Sequence, residues 1–173
     1  LQNGCLFEDV ELRPVTAYGL AKNILRCYID ELNKSHNIHF KWIRLFYLYG
    51  TGQGKNSLLE QLKKAIASGE KVFNMSGGEQ LRDYLPVEKV AEYIVKIALQ
   101  DQYDGIFNCC SGIPISIRRF VEEYLREHGQ KMKLNLGYYP YPDFEPMAFW
   151  GDNSRLTKVL ELYKQRRSIN GQS

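Results

Sequence analysis

Residues 14–22 read Pro-Val-Thr-Ala-Tyr-Gly-Leu-Ala-Lys, which places Tyr18 and Lys22 four residues apart. On a helix, side chains with this spacing lie on the same face. A Lys ammonium beside a phenol stabilises the phenolate, so such a Tyr exchanges a proton with a substrate hydroxyl or ketone near neutral pH. The pair therefore indicates chemistry in which an alcohol carbon exchanges hydride with a nicotinamide.

The spacing of Tyr18 and Lys22 does not establish this chemistry by itself. The chain contains 12 tyrosines among 173 residues, so roughly one Tyr-x-x-x-Lys match is expected by chance. An ordinary pair on the surface of a helix is the alternative interpretation, and the rest of the sequence must decide between the two.

The sequence after Pro14 predicts a helix followed by a buried strand. Thr16 is a suitable N-cap, and apolar residues on more than one face predict a helix to about Asn33. Such a helix is expected to pack against a sheet and against a second surface, for example another subunit. An aromatic and β-branched run from Ile38 predicts one strand that ends near Phe46. Helix followed by buried strand is typical of a parallel α/β fold.

The rest of the chain alternates short strands with amphipathic helices. Ser57 and Ser116 are suitable N-caps. The sequence predicts helices over 58–68, 87–99, 117–128 and 155–162, and strands over 72–75, 105–110 and 133–137. Residues 1–15 are predicted to be a loop, and so is the aromatic, proline-rich segment 138–151, which either packs over the core or forms a wall of a pocket. The polar tail from Gln165 is predicted to fray.

Composition excludes several classes of protein. The net charge is only +3, and no basic stripe indicates nucleic-acid binding. No apolar run approaches the roughly 18 residues of a membrane span. The four cysteines lack zinc-ligand spacing, so we expect no metal site and predict reduced, mostly buried thiols in a cytoplasmic protein. The length fits a single domain with a sizeable core.

A glycine-rich stretch, Gly50–Asn56, reads Gly-Thr-Gly-Gln-Gly-Lys-Asn. It is either a phosphate-binding loop or a flexible connection, and its glycine spacing does not match a Walker A loop. No Gly-x-Gly-x-x-Gly fingerprint of a dinucleotide-binding fold occurs in the chain. The chain is therefore expected to be a fragment if it belongs to a nucleotide-dependent enzyme.

Four segments, taken in order, resemble the extended short-chain dehydrogenase/reductases that act on nucleotide sugars, the NAD-dependent epimerase/dehydratase family. Residues 14–22 look like its Pro-x-Ser/Thr-x-Tyr-Gly-x-Ser/Ala-Lys helix, and residues 44–53 look like its Arg-x-Phe-Asn-x-Tyr-Gly-Pro-x-Gln segment. Residues 78–87 look like its Gly-x-Gln-x-Arg-Asp-Phe/Tyr-x-x-Val segment. Residues 103–116 look like its Gly-x-x-Phe-Asn-x-Gly strand and the start of the next helix. Each motif is weak alone, but the combination is specific.

The resemblance implies the C-terminal part of a doubly wound Rossmann-type parallel sheet plus a small α/β substrate-binding lobe. Residues 1–50 would belong to the Rossmann domain with the Tyr-x-x-x-Lys helix. Residues 51–173 would form mainly the substrate-binding lobe, with 85–110 returning to the Rossmann sheet. The resemblance also implies a homodimer.

The resemblance assigns a role to each residue of the hydride site. Tyr18 would be the catalytic acid/base. Lys22 would assist Tyr18 and hydrogen-bond the nicotinamide ribose of NAD or NADP. Phe46 would lie against the nicotinamide. Tyr18 and Lys22 would thus serve both catalysis and cofactor binding.

The substrate-binding residues implied by the resemblance lie further along the chain. Arg82 would hold the diphosphate of a nucleotide sugar, although Arg82 and Asp83 could equally be a surface salt bridge. Ser57 and Leu58, with the glycine-rich loop, would line the substrate site. Tyr47 stands where the family often has a substrate-contacting Asn.

The sequence leaves the reaction open within this chemistry. A nucleotide-sugar 4-epimerase or 4-ketoreductase is the first interpretation, with deoxysugar ketoreductases the nearer likeness and a 4,6-dehydratase a further option. The alternative is a non-catalytic remnant that binds a nucleotide sugar or a partner subunit. An unrelated α/β binding domain would be favoured if Tyr18 and Lys22 lay on opposite faces of their helix.

Overall fold

The computed structural model of the chain describes residues 2–142 and 145–170. These residues form five helices: α1 (Ala17–His36), α2 (Leu58–Ala67), α3 (Val87–Leu99), α4 (Ile117–Glu127) and α5 (Ser154–Asn170). The same residues form nine short strands: β1 (Gly4–Leu6), β2 (Lys41–Leu45), β3 (Tyr47–Tyr49), β4 (Val72–Asn74), β5 (Leu81–Pro86), β6 (Gly105–Cys109), β7 (Pro114–Ser116), β8 (Lys133–Asn135) and β9 (Phe149–Gly151).

The strands pair mainly in parallel. Strand β1 pairs with β9, β2 with β6, β3 with β5, and β4 with β8, all in parallel. Strand β5 also pairs with β7 in the antiparallel sense, so it lies between two neighbours. Helices cross between the parallel strands, as parallel pairing requires. The predicted α/β class is therefore confirmed.

Serine and threonine side chains fix the starts of three helices. Thr16 Oγ1 accepts a hydrogen bond from Gly19 N at 3.1 Å. The hydroxyls of Ser57 and Ser116 accept from the amides three residues further on. Each bond satisfies an amide that has no partner within its own helix. All three predicted N-caps are confirmed.

The buried apolar side chains of the described residues form three clusters. One joins Leu62 of α2, Phe73 of β4 and Val121 of α4. Another joins Ile97 of α3, Phe107 of β6, and side chains of α5. A smaller cluster links β5 to α3 and β6.

Helix α1 departs from its predicted packing. We expected it to pack against a sheet, but none of its residues is buried. Leu20, Ile24, Leu25 and Tyr28 are all exposed large apolar side chains. The helix also continues three residues past Asn33, ending at Asn37 in the left-handed conformation.

Several predicted loops and strand boundaries were wrong because the short strands there depend on partners that are distant in the sequence. Strand β1 lies in the predicted loop 1–15, and β9 lies in the predicted loop 138–151. The two strands pair with each other, so neither is visible in local sequence. The strand predicted to end near Phe46 is β2, which ends at Leu45, but the separate strand β3 that follows was not predicted, because the chain changes partner there from β6 to β5. Strand β7 was likewise not predicted.

The last helix is longer than predicted. It was expected to end at Leu162, with fraying from Gln165, but α5 continues to Asn170. Val159 is fully buried, and the Tyr163 hydroxyl donates to the Lys96 carbonyl oxygen of α3 at 3.1 Å. These contacts hold the helix against α3. Residues 171–173 lie outside the described part of the chain.

The four cysteines are all free thiols. Cys109 and Cys110 are buried, Cys5 is partly buried and Cys27 is exposed. Two of the four cysteines are thus buried, whereas most of them were predicted to be. Burial raises the pKa of the Cys109 thiol to about 11.

Over residues 2–142 and 145–170, no helix is long and apolar enough to cross a membrane, and no metal-ligand cluster occurs. The cytoplasmic location and the domain boundaries stay predictions.

Replacing Gly151 with alanine tests the close packing beneath β9. A Cβ atom at this position would lie 2.5 Å from Cys110 Sγ and 2.7 Å from Phe46 Cζ. We expect Gly151→Ala to lower the free energy of unfolding by about 1–3 kcal/mol, because the core must shift. Urea denaturation measures this change. Gly54→Ala is the control, because a Cβ there meets nothing within 4 Å. Equal midpoints for the two variants would contradict the packing argument.

Candidate active site

Tyr18 and Lys22 lie together in the first two turns of α1. The Lys22 ammonium is 5.7 Å from the centre of the Tyr18 ring, so the two side chains share a face. Tyr18 is 75% exposed, which leaves its hydroxyl open to a substrate. This arrangement removes the condition under which an unrelated binding domain would be favoured.

Arg82 is a fully buried cation rather than half of a surface pair. Its Nη2 lies 2.9 Å from Glu145 Oε2, and its Nη1 donates to the Leu81 carbonyl oxygen. The guanidinium carbon lies 4.9 Å from the Phe149 ring centre and 5.6 Å from that of Tyr47. A buried charge requires such partners. The surface salt bridge with Asp83 was therefore a wrong interpretation.

Asp83 points to the opposite side of β5, because successive strand residues alternate between faces. Its carboxylate is fully buried and accepts hydrogen bonds from Ser111 N, Ser111 Oγ and Gly112 N at 2.7–2.9 Å. These bonds fix the turn between β6 and β7. Arg82 and Asp83, which are adjacent in β5, thus bind two different regions of the fold: the segment that contains Glu145 and the turn between β6 and β7.

A cavity of about 410 Å³ lies between α2, β4, β5 and the aromatic, proline-rich segment. Its walls combine aromatic rings, neutral amides and one carboxylate, that of Glu145. The principal lining residues are Tyr47, Asn56, Leu58, Gln61, Phe73, Asn74, Gln80, Tyr84, Tyr139 and Glu145. The described residues that line it include no Lys or Arg. Arg82 is joined to the cavity through its ion pair with Glu145.

The aromatic segment predicted as a loop supplies the outer wall of this cavity. The Tyr138 amide donates to the Met75 carbonyl oxygen at 3.0 Å. The Tyr141 hydroxyl accepts from Glu79 N at 3.2 Å and packs against Gly77 so closely that a Cβ there would collide with it. Tyr139, Pro140 and Pro142 line the cavity. Of the two predicted roles, the structure shows the pocket wall.

The predicted site residues fall into separate groups. Tyr47 and Leu58 line the 410 Å³ cavity, whereas Ser57 serves as the N-cap of α2. Phe46 packs near Phe149 and Gly151 instead. Lys22 lines a second cavity of about 280 Å³, together with Trp42, Arg13, Arg26 and Arg44. No described cavity contains both Lys22 and Tyr47.

A comparison with protein families identifies the chain. The model described as "NAD dependent epimerase/dehydratase family" matches residues 4–110, which include Tyr18, Lys22 and Arg82. The chain belongs to this family. The resemblance inferred from the four sequence segments is thereby confirmed.

Curated relatives of this epimerase/dehydratase chain include two sugar dehydrogenases from Aggregatibacter actinomycetemcomitans. The dTDP-6-deoxy-L-talose 4-dehydrogenase (NAD(+)) is 33% identical over 149 residues, covering 86% of this chain and 55% of the relative. The GDP-6-deoxy-D-talose 4-dehydrogenase is 23% identical over 157 residues, covering 90% and 52%. The chain thus spans about half the length of these relatives.

Solved structures of Rossmann-fold proteins share the fold of this epimerase/dehydratase chain. The UDP-N-acetylglucosamine 4-epimerase from Methanobrevibacter ruminantium M1, in complex with UDP-N-acetylmuramic acid, gives a TM-score of 0.79 at 24% identity, covering 89% of this chain and 50% of that one. RMD from Pseudomonas aeruginosa, complexed with NADPH, gives 0.74 at 16% identity, covering 88% and 52%. These likenesses concern the fold alone.

Glu145 is a site residue that the sequence reasoning missed. Its partner Arg82 lies 63 residues away, so no local pattern marks the pair. The available signal was an acidic residue within the aromatic, proline-rich segment 138–151. Such a residue needs a partner if the segment packs onto the core.

Tyr84 is a second tyrosine that lines the cavity, and its phenol stays protonated. Burial raises the pKa of its phenol well above the ordinary value, and Arg82 opposes this only in part. The Tyr84 ring stacks on Phe120 with centres 4.0 Å apart. Tyr84 is therefore a wall of the cavity and not an acid-base group at neutral pH.

Proposed function

We propose that the protein containing this chain is an NAD- or NADP-dependent oxidoreductase that acts at C4 of a nucleotide sugar, as a 4-ketoreductase or a 4-epimerase. The observation that carries this proposal is the shared exposed face of Tyr18 and Lys22 at the start of α1. The similarity to a dTDP-6-deoxy-L-talose 4-dehydrogenase supports the 4-ketoreductase.

Tyr18 moves the proton in the proposed reaction. Its phenolate accepts the proton from the substrate O4 when the alcohol is oxidised, and the phenol so formed donates a proton to O4 when the ketone is reduced. The Lys22 ammonium stabilises the phenolate form. When bound, NAD or NADP supplies the hydride acceptor or donor at C4. The exposed ammonium of Lys22 fits a ribose hydroxyl of that cofactor, and Phe46 is proposed to lie beside its nicotinamide.

The nucleotide part of the substrate is proposed to bind in the 410 Å³ cavity. Arg82 holds the diphosphate, since a guanidinium fork matches phosphoryl oxygens. Tyr47 supports this role by packing its ring against the Arg82 guanidinium. Leu58 supplies apolar wall for the nucleotide, and Ser57 is proposed to contact the substrate at the start of α2.

A second candidate function is binding of a nucleotide sugar without turnover. It is supported by the separation of the 410 Å³ cavity from the Tyr18 and Lys22 pair, since described residues form that cavity without either one. A thermal-shift assay with each ligand separates the candidates. Stabilisation by a nucleotide sugar but not by NAD(P)H would favour binding without turnover.

The Tyr18→Phe variant tests the proton transfer. Removal of the phenolic hydroxyl is expected to lower kcat by roughly 10²–10⁴-fold, with little change in substrate binding, because it removes a transition-state interaction. Steady-state kinetics with nucleotide sugars measure the effect. Tyr28→Phe is the control, because Tyr28 is exposed on the same helix. Near-normal turnover in Tyr18→Phe would refute the role.

The Arg82→Ala variant tests the diphosphate contact. We expect KM for the nucleotide sugar to rise by roughly 10- to 100-fold, with a much smaller change in kcat, because a charged hydrogen bond is lost. This variant also leaves Glu145 without its cation. The double variant Arg82→Ala/Glu145→Gln removes that stranded charge, and its KM is expected to stay raised. An unchanged KM in Arg82→Ala would return Arg82 to a structural role.

The exposed apolar residues of α1 support the proposed homodimer. Leu20, Ile24 and Leu25 are 46–60% exposed, and a second copy would bury them. We expect the native chain to sediment as a dimer and Ile24→Glu as a monomer. Val95→Glu is the control, because Val95 is an exposed apolar residue of α3. A native chain that stays monomeric at every concentration would contradict the dimer.

A further inference from the structure

Gln80 is a buried side chain whose hydrogen bonding is incomplete. It lies directly before β5, is 3% exposed and lines the 410 Å³ cavity. Within the described part of the chain, no group accepts a hydrogen bond from its Nε2. Buried donors without partners are uncommon in folded proteins, and each one costs free energy.

The other buried glutamine of the described residues shows what complete bonding looks like. Gln100 Nε2 donates to the carbonyl oxygens of Tyr103 and Ile97, at 2.6 and 3.3 Å. Its Oε1 accepts from the amides of Gln102 and Tyr103. The two glutamines are equally buried, so burial alone does not explain the unpartnered Gln80 amide.

A second unpartnered donor lies two residues from Gln80. Arg82 Nε is buried, and no described residue accepts from it either. The other two nitrogens of this guanidinium are engaged with Leu81 and Glu145. Side chains two residues apart in an extended segment point to the same side. Gln80 lines the cavity and Arg82 is ion-paired to the cavity residue Glu145, and each therefore has a buried donor without a described acceptor.

We propose that Gln80 donates a hydrogen bond from its carboxamide to a diphosphate oxygen of the nucleotide sugar, beside Arg82. This inference rests on the proposed function. Phosphoryl oxygens are the acceptor-rich group that meets both donors, and no described cation lines the cavity to bind the second phosphate. A neutral amide adds a bond there without disturbing the ion pair between Arg82 and Glu145.

The two glutamines provide a matched stability test without ligand. Gln100→Leu strands two buried acceptors and two buried donors, so its unfolding midpoint is expected to fall well below that of the native chain. Gln80→Leu removes a donor that has no described acceptor, so its midpoint is expected to match or exceed the native value. A fall as large as that of Gln100→Leu would mean that the Gln80 amide is already bonded within the fold, and would overturn the proposal.

Calorimetric titration with dTDP and UDP tests the bond itself. We expect Gln80→Leu to weaken binding of both diphosphates by roughly 10- to 100-fold, the value of a hydrogen bond to a charged acceptor. Gln80→Glu keeps the shape but replaces the donor with a carboxylate, so it should bind still more weakly. If Gln80→Leu fails to fold, Gln80→Glu serves as the test variant in its place. Binding of thymidine, which lacks phosphate, should not change.

The outcomes separate this inference from the proposed function. A native chain that binds neither dTDP nor UDP overturns the proposed substrate class and the Gln80 assignment with it. Native binding with unchanged affinity in both Gln80 variants overturns the Gln80 assignment alone. Equal weakening of thymidine and dTDP places the acceptor on the nucleoside and overturns the assignment to the diphosphate.

Discussion

The buried carboxylate of Asp83 is the interaction on which the remainder of the structure depends. A charge inside a protein is tolerated only when several donors meet it. Here the turn between β6 and β7 supplies those donors from Ser111 and Gly112. This arrangement fixes the rotation of β5, and the alternation of the strand then directs Arg82 to the other side. Arg82 in turn requires Glu145, which holds its own part of the aromatic, proline-rich segment beside the cavity.

The chain therefore carries two chemically different regions. The cavity between α2, β4 and β5 is built from packed rings, amides and one internal ion pair, so its shape is set by the fold. The pair formed by Tyr18 and Lys22 lies on a helix with no buried residue, and Lys22 lines a different cavity together with Trp42 and Arg44. The described residues thus form a preformed cavity and, apart from it, an exposed helix face that carries Tyr18 and Lys22.

Much of the fold followed from local chemistry. The N-caps Thr16, Ser57 and Ser116 and the amphipathic patterns behind them located three helices, because a helix is stabilised by groups near in sequence. The three-residue strands β1 and β9 escaped prediction, since each exists only through the other. For the site, the sequence motifs predicted that Tyr18 and Lys22 share a helix face. The partner of Arg82 could not be foreseen, because a salt bridge over 63 residues leaves no periodic signal.

The pairing of β1 with β9 has a consequence for how the chain folds. Residues Gly4–Leu6 hydrogen-bond with Phe149–Gly151, so this contact closes a loop that runs from residue 4 to residue 151. The entropy lost on closing a loop grows with its length, and contacts between distant residues slow folding. The clusters around Leu62 and Ile97 join residues much closer in sequence. The cost of closing this loop predicts that β1 docks onto β9 only after these clusters have formed.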